Sequence, residues 1–171
     1  MLTGENGMNL HDVLITPGAR RSFRQELSPE RLDHPSVLSF LSLPVGEGEI
    51  ENTAGVLTLH GSIRSLLRCR CDRCAGEFDR PVDIPLEVTL ASELEDEESP
   101  DFYLLEGDEL DLEDLLETSF ILETDTRFLC REDCKGICPR CGADLNLGPC
   151  RCKKEKDPRL AVLEQLLDDK D

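Results

Sequence analysis

Six cysteines fall within the 23 residues from Cys130 to Cys152, in the pattern Cys130-x3-Cys134-x3-Cys138-x2-Cys141-x8-Cys150-x-Cys152. The surrounding stretch, LCREDCKGICPRCGADLNLGPCRC, is rich in glycine, proline and charge. It therefore offers no core in which six thiols would be buried as small apolar side chains. Two chemistries remain, disulfide bridging and metal ligation. The N-terminal MLTGENGMNL has neither the basic start nor the apolar run of a secretory signal. No apolar run reaches the roughly eighteen residues needed to span a membrane. The expected compartment is the cytoplasm, where thiols stay reduced, and the expected chemistry is ligation of zinc.

Within the stretch, Cys138-Pro139-Arg140-Cys141-Gly142 has the form of a zinc knuckle, a tight turn that aims two thiolates at one ion. Gly142 can take a positive φ without steric cost, which would let nearby N–H groups turn toward sulfur. Tetrahedral zinc takes four thiolates, so six local cysteines are two too many for one site. Cys71-x2-Cys74 upstream supplies a matching pair. One arrangement places Cys71, Cys74, Cys130 and Cys134 in one site and Cys138, Cys141, Cys150 and Cys152 in another. Cys69 is then left as a small side chain on the inward face of its strand. The alternative holds a single zinc in the tail and leaves Cys71 and Cys74 free. One or two zinc ions per chain are thus expected. A closed four-sulfur site has no open position for water, so it generates no hydroxide nucleophile. A redox role for Cys71-Asp72-Arg73-Cys74 is disfavoured, because redox motifs of this form open a helix after a strand, whereas this one joins two strands.

That hairpin is the clearest element upstream. From Gly55 to Cys71 the chain alternates, with Leu57, Leu59, Ile63, Leu67, Cys69 and Cys71 on one face. After CDRCAGEFDR a second alternation sets Val82, Ile84, Leu86, Val88 and Leu90 on one face. Pro85 places that strand, or one side of it, at a sheet edge. Leu10 to Ile15, Arg20 to Gln25 and Val37 to Val45 are expected to add strands. The stretch SELEDEESPDFYLLEGDEL reads as a solvated acidic loop. Leu112, Leu115, Leu116, Ser119 and Phe120 recur at helical spacing behind Asp111, a candidate N-cap. Asp157-Pro158 begins a second helix with Leu160, Leu163 and Leu167 as its stripe. The expected class is α+β: an antiparallel sheet with a central hairpin, one or two amphipathic helices and a C-terminal zinc knuckle. Two units are expected, a sheet domain over 1–126 and a zinc-binding tail over 127–171.

Charge narrows the function classes. Between Pro81 and Thr126 there are 17 Asp or Glu and no Lys or Arg. That block repels phosphate and attracts cations or basic proteins. Basic side chains collect instead around the cysteines, at Arg73, Lys135, Arg140, Arg151, Lys153 and Lys154, where they offset thiolate charge or meet phosphate. His11, His34 and His60 are scattered outside any nucleophile pattern, no Gly-rich phosphate loop occurs, and the carboxylates from Glu93 to Glu98 lack calcium-loop spacing. The chain is expected not to be an enzyme.

The hairpin LLRCRCDRCAGEFDRPVDIPLEV, with LCREDCKGICPRCGADLN, the CRC pair and the closing DPRLAVLEQL, resembles the YceD family, named for large ribosomal RNA subunit accumulation. The resemblance runs from about Met8 to Leu167. It implies a bacterial cytoplasmic factor that supports accumulation of 23S rRNA and hence large-subunit biogenesis. Cys71 and Cys74 match the hairpin pair of the family. Cys130, Cys134, Cys138, Cys141, Cys150 and Cys152 match the longer cysteine tail of Gram-positive-type members. Residues 1–7 precede the usual family start, so translation is expected to begin at Met1 or Met8. The partner expected from charge and resemblance together is a basic ribosomal protein or a large-subunit precursor particle, with direct RNA contact through the Arg-containing N-terminal or cysteine-rich regions left open. The rival expectation is a zinc-stabilised regulatory adaptor unrelated to ribosomes.

Overall fold

The computed structural model describes residues 7–91 and 102–152. The expected C-terminal helix from Asp157 and most of the acidic run after Ala91 lie outside these residues. The elements are β1 (Gly7–Asn9), α1 (His11–Ile15), β2 (Arg20–Glu26), β3 (Val37–Thr53), β4 (Val56–Arg70), β5 (Glu77–Ala91), β6 (Phe102–Leu104), β7 (Glu109–Asp111) and α2 (Leu112–Glu123). Five strands form one sheet in the order β2-β3-β4-β5-β6, and β1 pairs with β7 in a small second sheet.

The long β3-β4-β5 meander follows from alternation. Leu57, Leu59, Ile63, Leu67 and Cys69 of β4 are all buried, as are Ile84, Leu86 and Leu90 of β5. The turn between β3 and β4 is two residues long, with Ala54 at φ 55° and Gly55 at φ 94°. Two successive positive φ values match the twist of a tight hairpin. β3 extends well past the expected Val45, to Thr53, pairing Val45–Glu51 with β2 on one side and β4 on the other. Its first half carries three register shifts against β4, and Leu38, Leu41 and Leu43 fall at the unpaired positions and remain exposed. Bulges re-aim side chains in this way, and here they let Phe40 turn to the core, where it packs on Phe120.

Three expectations need correction. The part of the expected acidic loop from Phe102 to Leu110 carries β6 and the start of β7, because its alternate apolar residues find partners in the sheets, and Leu105 and Leu110 are buried. The Leu10–Ile15 region forms the short helix α1 rather than a strand: Leu10 O accepts from Val13 N and Leu14 N, both at 2.9 Å. Its apolar residues stand at i, i+3 and i+4, a helical spacing. The sheet is also mixed rather than antiparallel, because β6 runs parallel to β5, with Thr89, Leu90 and Ala91 opposite Phe102, Tyr103 and Leu104. The pairing is confined to the last three residues of β5. Along Glu77 to Val88, where Pro85 sits, β5 has no second partner among the described residues.

Helix α2 begins where the sequence places it, the Asp111 carboxylate accepting from Asp114 N at 3.0 Å. It lays Leu112, Leu115, Leu116 and Phe120 on the sheet. It comes so close that a Cβ on Gly46 would lie 2.6 Å from Leu116 Cδ1. The same helix buries Glu117, whose Oε2 meets Arg31 Nη2 at 2.9 Å while Oε1 has no partner among the described residues. Burial pushes its carboxyl up against the pull of Arg31, and Glu113, Asp114 and Asp111 add to the rise. The protonated form therefore suits the fold, and stability is lost as pH climbs from the ordinary carboxyl range through the higher folded value. Glu117→Gln should melt higher than the parent at pH 7, with the difference shrinking toward pH 4. A variant that melts lower at pH 7 would contradict this.

Candidate metal centre

The turn joining β4 to β5 carries Cys71 and Cys74. It is closed by Cys71 N–H donating to Gly76 O and Ala75 N–H to Cys71 O, both at 2.8 Å. Asp72, between the two cysteines, ties the later chain to this turn. Its Oδ2 accepts from Phe128 N at 2.6 Å, and its Oδ1 accepts from Ser36 Oγ at 2.6 Å. Hydrogen bonds from Ser36 and then Phe128 hold its carboxyl below the usual range. Phe128 is buried against Leu67 and Cys69, with the Arg80 guanidinium 5.2 Å from its ring centroid and His34 edge-on at 4.8 Å. The anchor delivers Cys130 and Cys134 to the hairpin tip.

There Cys71 Sγ lies 3.8 Å from Cys134 Sγ, and Cys74 Sγ 3.7 Å from Cys130 Sγ. The four sulfurs all lie within 4.8 Å of one another. Cys138, Cys141, Cys150 and Cys152 form a second group within the same limit, with Cys150 Sγ 3.5 Å from Cys138 Sγ. A bridging disulfide requires about 2.05 Å, so these sulfurs are unbonded. A tetrahedron with Zn–S bonds of about 2.3 Å has edges of about 3.8 Å. The spacings fit that figure, and each cluster can hold one metal ion. All eight residues singled out as ligands are in these two groups, in the partition that uses Cys71 and Cys74 with Cys130 and Cys134. Cys69, the ninth, is fully buried.

The thiols are tuned unevenly. Burial pushes Cys71 up, but the N–H groups of Cys130, Cys74 and Arg73 outweigh it and bring the thiol down to about 6. Cys138 is likewise lowered to about 6, by the N–H groups of Cys141 and Arg140 and then the Cys150 thiol. Cys130 is pushed up to about 12 by burial and by the sulfurs of Cys74, Cys134 and Cys71. Cys152 rises to about 12 through the Cys141 sulfur, then burial, then Cys138. Each cluster thus gives up its first proton readily and its last only if a cation compensates, so metal binding displaces protons.

The second cluster sits on the first. The knuckle turn is closed by Gly142 N–H to Cys138 O at 2.9 Å and Cys138 N–H to Ala143 O at 2.8 Å, with Gly142 at φ 70°. Ile137 N–H donates to Arg73 O at 3.0 Å, and Arg73 Nη1 donates to Cys134 O at 2.8 Å. Gly136, at φ 73°, packs where a Cβ would be 2.8 Å from Arg73 O. Asn146 reaches back from the second loop, its Nδ2 3.5 Å from Cys134 Sγ and its Oδ1 accepting from Lys135 N at 2.8 Å. Asp72 and Asn146 had no signal in the sequence, since an Asp or Asn in a turn is ordinary. Asp72→Ala should cost about 1–3 kcal/mol, because it orphans the Phe128 N–H. An unaltered urea midpoint would count against the anchor.

A match to the family model described as "Large ribosomal RNA subunit accumulation protein YceD" covers residues 59–167, spanning both clusters and the hairpin. The chain belongs to the YceD family. Similar proteins are the "Uncharacterized protein Rv2926c" of Mycobacterium tuberculosis and the "Uncharacterized protein Mb2951c" of Mycobacterium bovis, each 26% identical over 122 residues, or 69% of this chain and 59% of theirs. The "Uncharacterized protein YlbN" of Bacillus subtilis is 31% identical over 100 residues, 57% of this chain and 58% of that protein. The chain spans less than two thirds of the length of the curated relatives it matches. No solved structure matches. The YceD description supports a ribosome-related role. Among the described residues no helix is long and apolar enough to cross a membrane.

Proposed function

We propose that this chain is a non-enzymatic cytoplasmic factor that supports accumulation of 23S rRNA, and so large-subunit biogenesis, by binding a basic ribosomal protein or a precursor particle. The observation that carries the reading is the YceD match across the cysteine-bearing hairpin and tail. The charge distribution supports the partner: 17 carboxylates between Pro81 and Thr126 with no basic residue among them oppose phosphate and favour a basic protein. The clusters bind zinc, because an all-thiolate tetrahedral set suits that ion and a reducing compartment. With four sulfurs around each ion, no position is left for water, so the metals hold shape rather than perform chemistry.

Depletion of the chain, followed by sucrose-gradient profiling and rRNA mapping, tests the reading. Loss of 50S particles with shortened or scarce 23S rRNA is expected. An unchanged profile together with a lysate pull-down free of large-subunit proteins would remove the ribosomal reading.

A further inference from the structure

Strand β6 ends the five-stranded sheet, and no described strand lies beyond it. Leu105 N–H donates to Ala91 O of β5 at 2.9 Å. Successive residues of a strand turn their peptide groups to opposite edges, so the N–H and C=O groups of Phe102 and Leu104 point away from β5. Their side chains share one face, and at 43% and 48% exposure neither is covered. Among the described residues this edge has no partner, and an unpaired backbone edge bearing two apolar side chains is a template for another strand.

The surroundings say which kind of strand. Glu106, Asp108, Glu109, Asp111 and Asp114 follow β6 closely in the chain. Asp108 is met by His11 Nδ1 at 2.8 Å, while no lysine or arginine occurs anywhere from Pro81 to Thr126. On the opposite face of β6, Tyr103 OH donates to Asp114 Oδ2 at 3.0 Å. Its phenol is pushed up by burial and then by Asp114, Asp111 and Glu106, which marks the local field as negative.

We propose that the outer edge of β6 is a strand-addition site for an extended, lysine- or arginine-rich segment of a partner protein with apolar residues at alternate positions. The proposal rests on the reading that the partner is a basic protein, and it names where that partner docks. The Phe102 and Leu104 peptide groups supply main-chain hydrogen bonds and their side chains receive the apolar positions, while on the opposite face Asp114, Asp111 and Glu106, which act on Tyr103, meet the basic ones. The same carboxylates oppose nucleic acid, so RNA is not the occupant.

The test uses the full, zinc-loaded chain and a short labelled peptide alternating valine with lysine, at low salt. Saturable binding is expected, with slowed hydrogen exchange at the Leu104 amide and no binding of a valine–glutamate peptide. Leu104→Pro removes one outward donor while leaving the bonds to β5 in place, and should weaken binding by about tenfold, the scale of a lost hydrogen bond. The double variant Glu106→Lys, Glu109→Lys keeps the edge intact and should weaken binding comparably, so the proposal does not depend on the proline variant folding. Unchanged affinity in both variants, protection appearing elsewhere, or displacement of the peptide by an oligouridylate of equal length would overturn it. If the Leu104→Pro chain still recovers precursor particles from lysate with full yield, the assembly reading stands and this docking site falls.

Discussion

Purified protein should contain two zinc ions per chain, and stripping both should leave the sheet standing while the tail from Arg131 to Cys152 unfolds. Between Thr124 and Cys152 no helix or strand is present, and a stretch that long without regular structure is uncommon in a compact domain. Its apolar anchors are few: Phe128 is buried, and from there to Cys152 the buried residues are Cys134, Gly136 and Cys138. Structural zinc contributes on the order of 10 kcal/mol, comparable with the whole stability of a domain. Among the described residues of the tail, from Arg131 to Cys152, no hydrogen bond approaches that. Trypsin provides the readout, since Arg131, Lys135, Arg140 and Arg151 lie inside the clusters. The loaded chain should resist cleavage there, and the chelated chain should be cut there first, with a fragment carrying β2 to β5 surviving. Cys71→Ser should halve the zinc content, because the first cluster takes two ligands from the hairpin. One zinc per loaded chain, or a chelated tail that resists trypsin, would refute the two-site account.

The second large effect is expected at Gly48. This residue pairs with Gly61 across β3 and β4. A Cβ placed on Gly48 would lie 2.1 Å from His60 O and 2.7 Å from Gly61 Cα. Both obstacles are backbone, which cannot rotate away as the Leu116 side chain facing Gly46 can. Gly48→Ala should destabilise by about 3 kcal/mol or more, at the upper end for overpacked sites, and Gly46→Ala by less. Equal urea midpoints for the parent and Gly48→Ala would show that the strands separate here at little cost. Zinc content should be unaffected in either variant, since the glycines lie far along the sheet from the hairpin tip that holds Cys71 and Cys74.

The hairpin was legible because burial on one face of a strand imposes a period of two, and Leu57 to Cys69 and Ile84 to Leu90 keep it. Helix α2 was legible for the same kind of reason, with a cap and a stripe at helical spacing. Helix α1 was misread as strand because one turn offers too few residues to separate the two periods. The three bulges of β3 left no mark in composition, since each is decided by how the strand must bend to bring Phe40 under Phe120 and Val37 beside Phe128.

For the metal centre, the sequence by itself singled out eight cysteines as candidate ligands, with Cys71 and Cys74 either in a second site or free, because four-sulfur ligation demands cysteines in number and at turn spacing that few other pressures produce. Which sulfurs come together in one cluster was decided only by the tertiary structure. Cys71 and Cys134 are 63 positions apart, and what sets them 3.8 Å from each other is the docking of Phe128 under the hairpin, held by Asp72 to its N–H. Long-range placement of that kind is the work of packing and of one carboxylate, and neither leaves a pattern along the chain.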